Sequence, residues 1–420
     1  MHHALTCFHR RLLILGVLAG LLGAPVAAAG DWPQILGPDR NGVTQGEQPI
    51  QPWSASGPRS LWSVDVGSGF AGPAVAADRV VVFHRVGASE RLQCLAAATG
   101  ETLWQADFPA SYRGSINPDS GPRCVPVIHQ QRIYAFGAAG DLHCVELVSG
   151  KKVWSRDTHT DYKAQEGYFG AGSTPIVVDS KLLVNVGGRS AGIVAFSLDT
   201  GATLWQAGND QASYASPTRA TLHGKPHAIF VTRLRCVAVD AGSGQFAFTL
   251  PFGATGPTVN AATPLVFDNH LFLSASYNVG AKLLRLDSPP VEIWSNDESM
   301  SSQYATCVYH DGHLYGVHGR EDFRTGELRC VEALTGQVRW SNSLALTGSV
   351  LAVGQRLLVL ATDGRLTLVA ARPDRYDELA AAQVSSRTTR SLPAYAAGRF
   401  VFRDNADNTG RLHCLQIAAP

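Results

Sequence analysis

The sequence predicts an all-β protein, an eight-bladed β-propeller with four-stranded antiparallel blades. The N-terminal strand is expected to close the last blade. Three observations lead to this prediction. One short motif recurs at a nearly constant spacing, short apolar segments alternate with turn residues, and the two chain ends carry complementary parts of one repeat. The one candidate helix, at 376–382, is equally compatible with a distorted outer strand.

The repeat is clearest in four segments that share a small residue, a glycine six positions later and a tryptophan four positions after that. The four are LQCLAAATGETLW (92–104), LHCVELVSGKKVW (142–154), IVAFSLDTGATLW (193–205) and LRCVEALTGQVRW (328–340). Such internal periodicity is typical of propellers and solenoids.

Weaker copies fill the gaps between these four. Cys236, Gly242 and Phe246 fit the frame with phenylalanine in place of tryptophan, and Leu284 with Trp294 fits it without the glycine. The small-residue positions then fall at 94, 144, 195, 236, 284, 330, 368 and 414. The mean spacing of about 46 residues is that of a four-stranded blade. Seven blades stay open as an alternative if the degenerate stretch 345–385 is an insertion.

Turn residues separate the predicted strands within each repeat. Examples are Ala77-Asp78-Arg79, Asp179-Ser180-Lys181, Asp268-Asn269-His270 and Asp311-Gly312, each followed by a β-branched or aromatic run. Short alternating segments joined by such turns indicate antiparallel hairpins. The glycine of the recurrent Thr-Gly pair supplies the positive φ that other residues resist.

The tryptophan and the small residue explain each other if neighbouring blades pack face to face. A buried indole covers a large area, so the position opposite it has to be small. We therefore assign a structural docking role to the recurrent tryptophans, which are Trp62, Trp104, Trp154, Trp205, Trp294 and Trp340. The same reasoning makes Cys94, Cys144, Cys236, Cys330 and Cys414 core residues rather than disulfide partners or metal ligands.

The chain ends predict how the ring closes. The last small-residue strand, near Cys414, has no tryptophan strand after it, whereas the strand Leu61–Val66 carries Trp62 with no partner strand before it. The N-terminal strand should therefore complete the last blade and remove the exposed sheet edges of an open array.

The first residues have the layout of a secretory signal peptide. A basic start is followed by the apolar run 12–22 and by the small residues Ala27-Ala28-Ala29. We predict a signal peptide at 1–29, an N-terminal extension at 30–52 and the propeller at 53–420. The prediction implies a periplasmic or secreted protein, and no later apolar stretch reaches the length of a membrane span.

Charge excludes some partners. The chain has 35 basic and 34 acidic side chains, and only 16% of its residues are charged. Nucleic acids and anionic membrane surfaces select clustered positive charge. We therefore predict no nucleic-acid partner. Separately, we expect the protein to be a monomer.

The recurrent small-x-Asp-x-x-Thr-Gly-x-x-x-Trp pattern resembles the tryptophan-docking motif of the pyrroloquinoline-quinone (PQQ) repeat family over about residues 53–420. The family includes propellers similar to BamB, a component of outer-membrane protein assembly, and the quinoprotein alcohol dehydrogenases. Resemblance to the quinoprotein dehydrogenases implies bound PQQ and calcium. In those enzymes two adjacent cysteines lie above the quinone, and a set of Glu, Asn and Asp residues binds the calcium ion. No two cysteines are adjacent here, and the motif's Asp is replaced at Ala96, Glu146, Ser197, Ala238 and Glu332.

The start of each innermost strand lies near the propeller axis, where ligand sites form because loops of many blades converge. We predict a ligand-binding set on this axial face from the polar and aromatic residues of those segments and of the neighbouring loops. The set is Asp119, Glu166, Tyr168, Arg189, Tyr214, Ser216, Asn260, Tyr277, Tyr304 and Arg320. Neither catalytic residues nor a metal site is assigned, because no nucleophile elbow, phosphate loop or metal motif is present in the sequence.

Three functions stay open on this reading. The favoured one is a binding or scaffold propeller for protein–protein contact or envelope assembly, without a cofactor, because a complete set of repeats carries no recognisable catalytic set. The alternatives are a PQQ- and calcium-dependent oxidoreductase and a carbohydrate-binding or polysaccharide-acting propeller, the last motivated by the four tyrosines. A protein partner or a small or saccharide ligand is expected on the axial face.

Overall fold

Eight separate four-stranded antiparallel sheets make up the protein. The structure is a computed structural model and describes residues 30–114 and 116–418, so the predicted signal peptide at 1–29 lies outside the described residues. Almost all regular structure is strand, with one short helix, α1, at Thr158–Tyr162. In the described part of the chain, no helix has the length and apolar character needed to cross a membrane.

The strands follow one another with short connections. In chain order they are β1 (Arg59–Val66), β2 (Ala74–Ala76), β3 (Arg79–Val86), β4 (Ser89–Ala96), β5 (Thr102–Pro109), β6 (Val127–His129), β7 (Arg132–Phe136), β8 (Asp141–Glu146), β9 (Lys152–Asp157), β10 (Ile176–Val178), β11 (Lys181–Gly188), β12 (Ala191–Ser197), β13 (Thr203–Ala207), β14 (Thr218–Leu222), β15 (Lys225–Val231), β16 (Arg235–Asp240), β17 (Phe246–Pro251), β18 (Leu265–Phe267), β19 (His270–Ala275), β20 (Gly280–Arg285), β21 (Val291–Asn296), β22 (Val308–His310), β23 (His313–His318), β24 (Gly326–Glu332), β25 (Val338–Ala345), β26 (Gly348–Val353), β27 (Arg356–Ala361), β28 (Arg365–Ala370), β29 (Glu378–Gln383), β30 (Ala394–Ala396), β31 (Arg399–Ala406) and β32 (Thr409–Gln416).

Blades 1 to 7 each consist of four consecutive strands, from β2–β5 to β26–β29. Blade 8 has the order β30-β31-β32-β1, and Trp62 of β1 lies opposite Cys414 of β32. The predicted closure by the N-terminal strand and the predicted count of eight are confirmed. The stretch 345–385 is blade 7 rather than an insertion, and the candidate helix at 376–382 is mostly its outer strand.

The predicted turns have the backbone that tight hairpins require. Asp268 and Asn269 connect β18 to β19 with φ values of 42° and 61°, and Asp179 and Ser180 connect β10 to β11 with 49° and 59°. Two successive positive φ values match the right-handed twist of the paired strands. These turns connect the first and second strands of their blades.

In six blades, an indole on the outer strand lies opposite the third strand and bonds to the next blade. Trp104 faces Cys94 within blade 1, and its Nε1–H donates to the carbonyl oxygen of Leu147 in blade 2 at 3.0 Å. The corresponding donor–acceptor pairs are Trp62–Ala97, Trp154–Leu198, Trp205–Ala241, Trp294–Ala333 and Trp340–Arg372. A satisfied indole N–H lets a large ring be buried between blades.

Blade 4 requires a correction of the predicted register. Phe248 rather than Phe246 holds the tryptophan position, and it lies opposite Ala238, whereas Phe246 lies opposite Val239 and Cys236 lies opposite Leu250. The motif's Asp therefore falls at Asp240, where it is intact and accepts hydrogen bonds from the backbone N–H of Ser243 at 2.8 Å and from its hydroxyl at 3.0 Å. Ala238 is thus the small residue of blade 4 and not a substituted Asp.

Two other blades depart from the small-residue rule. In blade 5, Trp294 lies opposite Leu283, one position before the predicted Leu284. In blade 7, the large and small residues change places, with Leu368 on the third strand opposite Ala380 on the outer strand. A large residue on either strand fills the interface, because the summed volume of the pair decides the packing.

All seven cysteines in the described residues are buried and carry free thiols. Four of them, Cys94, Cys144, Cys330 and Cys414, lie opposite a docking tryptophan. Burial raises the pKa of the Cys94 thiol to about 12. The thiols therefore stay protonated and act as small apolar packing groups.

Residues 30–52, predicted as an extension, pack across the inner strands of the ring. Trp32 is 1% exposed and pairs with Val75 of β2, while the N–H of Thr44 donates to the carbonyl oxygen of Ala352 in β26 at 2.9 Å. Between them, Arg40 is buried, and its guanidinium donates to the carbonyl oxygens of Thr174, Pro175 and Pro217. The segment thus crosses the centre of the ring and joins blades 1, 3, 4 and 7.

Candidate functional site

The face that carries the connection from each outer strand to the next inner strand, here called the loop face, has a central cavity of about 230 Å³. Seven of the eight connections contribute to its wall, and blade 7 contributes Gly348 and Ser349 at the start of its inner strand. We call this cavity the funnel, and its lining residues are Phe70, Asn117, Arg123, Phe169, Tyr214, Val259, Ala261, Tyr304, Ala305, Gly348, Ser349, Thr362, Thr389, Arg390 and Leu392. Tyr214 and Tyr304 of the predicted ligand set lie here.

A partly buried carboxylate organises one side of the funnel. Glu321 accepts hydrogen bonds from the hydroxyl groups of Tyr304 and, at 3.2 Å, Thr362. It also accepts from Nε and Nη2 of the Arg390 guanidinium at 3.1 and 3.2 Å. Burial alone raises the pKa of Glu321, but the bonds from Arg390 and Tyr304 outweigh it and hold that pKa below its ordinary value. The network ties together blades 6, 7 and 8 and fixes the Tyr304 ring.

Asp119, predicted as a ligand-binding residue, uses its carboxylate to hold two loops together. It is 6% exposed, and its carboxylate accepts from the N–H groups of Gly69 at 2.9 Å and Gly121 at 2.8 Å. These bonds hold the connection into blade 1 against the connection into blade 2. Arg123 forms an ion pair with Asp119 at 3.6 Å and lies over the ring of Phe70.

A polar groove of about 660 Å³ leads outward from the funnel between blades 8 and 2. It shares Phe70, Asn117 and Arg390 with the funnel, so the two cavities are contiguous. The remaining groove residues are Pro118, Asp119, Ser386, Arg387, Thr388, Asn405, Ala406, Asp407 and Asn408. Their hydrogen-bonding groups give the groove a polar character that the apolar funnel walls lack.

A second cavity of about 250 Å³, here called the cleft, lies beside the funnel between the loops around blades 3 and 4. Four predicted residues line it: Glu166, Tyr168, Tyr214 and Asn260. Tyr168 is 43% exposed at the rim, whereas Asn260 is 1% exposed. The hydroxyl oxygen of Tyr214 accepts from the N–H of Phe169 at 2.8 Å, which fixes the ring between funnel and cleft.

The other four predicted residues line none of these three cavities. Ser216 is buried and accepts from the N–H of Thr174 at 3.0 Å. The Arg320 guanidinium lies over Tyr277 at 4.3 Å on the loops of blades 5 and 6. Arg189 is exposed on the turn between β11 and β12.

Several lining residues were not predicted. Phe70 and Arg390 precede the inner strands of blades 1 and 8, the same position that singled out Tyr214 and Tyr304. Applying the repeat frame to those blades would have found them. Asn185 of the cleft gave no such signal, because it lies within the apolar strand β11.

Fold and docking motif together define an eight-bladed propeller of the PQQ-like repeat class. A family model described as outer membrane protein assembly factor BamB matches residues 88–342, and the chain belongs to that family. Among solved structures, BamB from Moraxella catarrhalis superposes with a TM-score of 0.62 at 16% identity, over 86% of this chain and 99% of that one.

Quinoproteins share the fold. The quinohemoprotein alcohol dehydrogenase ADHIIG from Pseudomonas putida superposes with a TM-score of 0.67 at 14% identity, over 93% of this chain and 81% of that one. The enzyme from Comamonas testosteroni gives 0.67 at 13% identity, over 94% and 82%. In sequence, the curated Pseudomonas putida enzyme ADH-IIG is 26% identical over 221 residues, which are 46% of this chain and 30% of that protein. The chain therefore matches less than a third of that enzyme's length.

The funnel does not fit a calcium–quinone pair. Its described lining residues include no carboxylate, and the nearby Glu321 is committed to Arg390 and Tyr304. Phe169 and Tyr214 meet edge to face at 61°, so they do not bound a flat slot. In the described residues no three His, Cys, Asp or Glu side chains cluster as metal ligands, although calcium needs several oxygen ligands.

Proposed function

We propose that this chain is a binding or scaffold propeller of the cell envelope that receives an extended segment of a partner protein on its loop face. The observation that carries the proposal is the continuity of the apolar funnel with the polar groove through Phe70, Asn117 and Arg390. The family description, an outer membrane protein assembly factor, supports an envelope setting and a protein partner.

The two cavities match the two parts of a polypeptide. An apolar or aromatic side chain fits the funnel, where burial of its surface contributes about 25 cal/mol per Å². A polypeptide backbone needs hydrogen-bond partners along its length, and the groove offers the amides of Asn117 and Asn408 and the hydroxyl of Thr388. A small molecule would leave most of the groove unused.

Charge indicates the composition of the segment. Arg387 and Arg390 have side chains that are 36% and 40% exposed, while the paired carboxylates of Asp404 and Glu321 are 2% and 15% exposed. Asp407 is the exposed carboxylate of the groove. The cations are therefore more accessible than their partners, so we expect an apolar anchor beside acidic or carbonyl-rich positions.

The experiment is selection of a random peptide display library on the full chain, followed by affinity measurement. Phe70→Ala removes a wall shared by funnel and groove, and Phe246→Ala, on the exposed outer strand β17, is the matched control. We expect selected peptides with an apolar anchor, an affinity loss of about tenfold or more in Phe70→Ala, and little change in Phe246→Ala. Equal losses in the two variants, or no enriched peptide, would overturn the proposal.

The quinone-dependent oxidoreductase is a second candidate, favoured by the sequence match to ADH-IIG. It is tested by titrating the purified chain with PQQ and calcium and by measuring absorbance and dye-linked oxidation of alcohols. On the binding proposal, the absorbance is the sum of the components and no dye is reduced. Saturable quinone binding with substrate-dependent dye reduction would replace the scaffold role.

A further inference from the structure

The floor of the cleft contains polar atoms with no protein partner. Both polar atoms of the Asn185 amide, Oδ1 of Asn260 and Nδ1 of His159 are buried and make no hydrogen bond with any of the described residues. All three residues line the cleft, and Asn185 is 2% exposed. We infer that the cleft is a binding site for a neutral polyhydroxylated ligand of the size of a mono- or disaccharide.

Asn185 carries most of this inference. Burial of an amide without compensating hydrogen bonds opposes folding, so buried polar groups are nearly always paired. The pairing of β11 with β12 is irregular between Asn185 and Gly188, so the ladder is interrupted directly after the amide. An amide that is fixed, buried and unpaired at the wall of a cavity is poised to bond to a ligand.

The side chains of Asn260 and Tyr214, which also line the cleft, are fixed in place by the surrounding structure. The Asn260 amide nitrogen donates to the carbonyl oxygens of Thr232 at 3.0 Å and Arg233 at 3.2 Å, which leaves its Oδ1 unpaired. The Tyr214 ring packs so closely on Gly172 that a Cβ there would lie 2.4 Å from its Cδ1. The ring therefore forms a rigid wall for the apolar face of a sugar.

The donor set selects hydroxyl groups over charged ones. A carboxamide presents one acceptor and one donor side by side, which matches two vicinal hydroxyls. Burial lowers the pKa of His159, so its imidazole is neutral at physiological pH. Two charged side chains also line the cleft: Glu166 is exposed, and the Arg233 guanidinium donates to the carbonyl oxygens of Ala254 at 2.7 Å and Gly256 at 2.6 Å.

The test combines ligand binding with thermal unfolding of the full chain. A panel of neutral mono- and disaccharides, with a uronic acid as charged comparison, is titrated by calorimetry and by saturation-transfer NMR. Asn185→Leu removes the unpaired amide but keeps the number and branching of the side-chain heavy atoms, and Gln105→Leu, an exposed amide on β5, is the control. We expect at least one neutral sugar to bind and its affinity to fall about tenfold or more in Asn185→Leu only.

The stability readout separates a ligand site from a structural amide. Because Asn185 has no protein partner, Asn185→Leu should raise the unfolding midpoint by about 2 °C or more while it abolishes binding. Absence of binding across the panel, or a lower midpoint with only an ordered water on the amide, would overturn the inference. Peptide binding at the funnel should be unchanged in Asn185→Leu, so the two proposals fail independently.

Discussion

The indole of Trp62 lies directly on Gly100 of the neighbouring blade. A Cβ on Gly100 would be 2.8 Å from Cδ2 of the ring, and the indole Nε1 donates to the carbonyl oxygen of Ala97 at 3.0 Å. The repeat therefore requires a glycine at this position for two reasons. Its φ is +74°, and the indole ring approaches its Cα too closely for a side chain. The same contact recurs at Gly150, Gly201, Gly244 and Gly336 with the tryptophan of the preceding blade.

This relationship predicts that Gly100→Ala destabilises the ring more than its backbone conformation explains. Gly224 has the same φ of 74°, but a Cβ there meets nothing within 4 Å, so Gly224→Ala measures the backbone effect alone. We expect Gly224→Ala to cost about 1 kcal/mol and Gly100→Ala about 1–3 kcal/mol more. The free energy of unfolding in urea checks this, and equal losses would refute the docking role of the glycine.

The buried carboxyl of Glu90 predicts a stability that falls as pH rises. Burial raises the pKa of Glu90 from 4.5 to about 7, although the N–H of Ala138 donates to it at 2.9 Å. The folded protein binds a proton on Glu90 more tightly than the unfolded chain does. Its contribution to the free energy of unfolding is therefore fully present below the unfolded-state pKa of Glu90 and is lost as pH rises through about 7. Glu90→Gln should therefore gain stability over the wild type between pH 5 and pH 8, by about 3 kcal/mol. A pH-independent difference in unfolding free energy would contradict this assignment.

Glu321 predicts the opposite pH dependence. Its pKa is held below the ordinary value, so its contribution is present at neutral pH and is lost as pH falls through the folded pKa. Glu321→Gln should lower the free energy of unfolding at pH 7 by about 1–3 kcal/mol, because Arg390 loses its charged partner. The deficit should shrink below pH 4, and urea unfolding of both proteins at the two pH values measures it. A constant deficit would show that charge is not the cause.

Arg40 predicts that the N-terminal segment is part of the stable ring. Its guanidinium is buried and pairs with no carboxylate among the described residues, and burial lowers its pKa to about 9. Arg40→Met should leave the carbonyl oxygens of Thr174, Pro175 and Pro217 unpaired and cost about 1–3 kcal/mol for each that stays dry. Limited proteolysis should then cut residues 30–52 faster, with Arg235→Met, an exposed arginine on β16, as control.

The sequence was sufficient to predict the ring because its repeat combines periodicity with complementary chain ends. It could not settle the register of blade 4, since Cys236 and Ala238 point to the same face and are each followed six positions later by a glycine, Gly242 and Gly244. A shift of two residues preserves the alternation of a strand. The pairing of Phe248 with Ala238 resolves the ambiguity.

The candidate site was predictable where it follows the repeat and not where it depends on three-dimensional closure. Tyr214 and Tyr304 precede inner strands and do line the funnel. Asp119 lies eight residues before its inner strand, where Arg123 holds the equivalent position, and backbone N–H groups of two connections bind the Asp119 carboxylate. Asn185 is indistinguishable in sequence from a solvated polar residue of a strand, and only the surrounding loops show that it is buried and unpaired.

The most direct test of the central claim is a crystal structure of the full chain with the tightest peptide from the display selection. The binding proposal predicts an apolar side chain of the peptide between Phe70 and Tyr304, with its backbone running along the groove past Asn117 and Asn408. A peptide bound to the outer strands or to the opposite face, with the funnel empty, would contradict it.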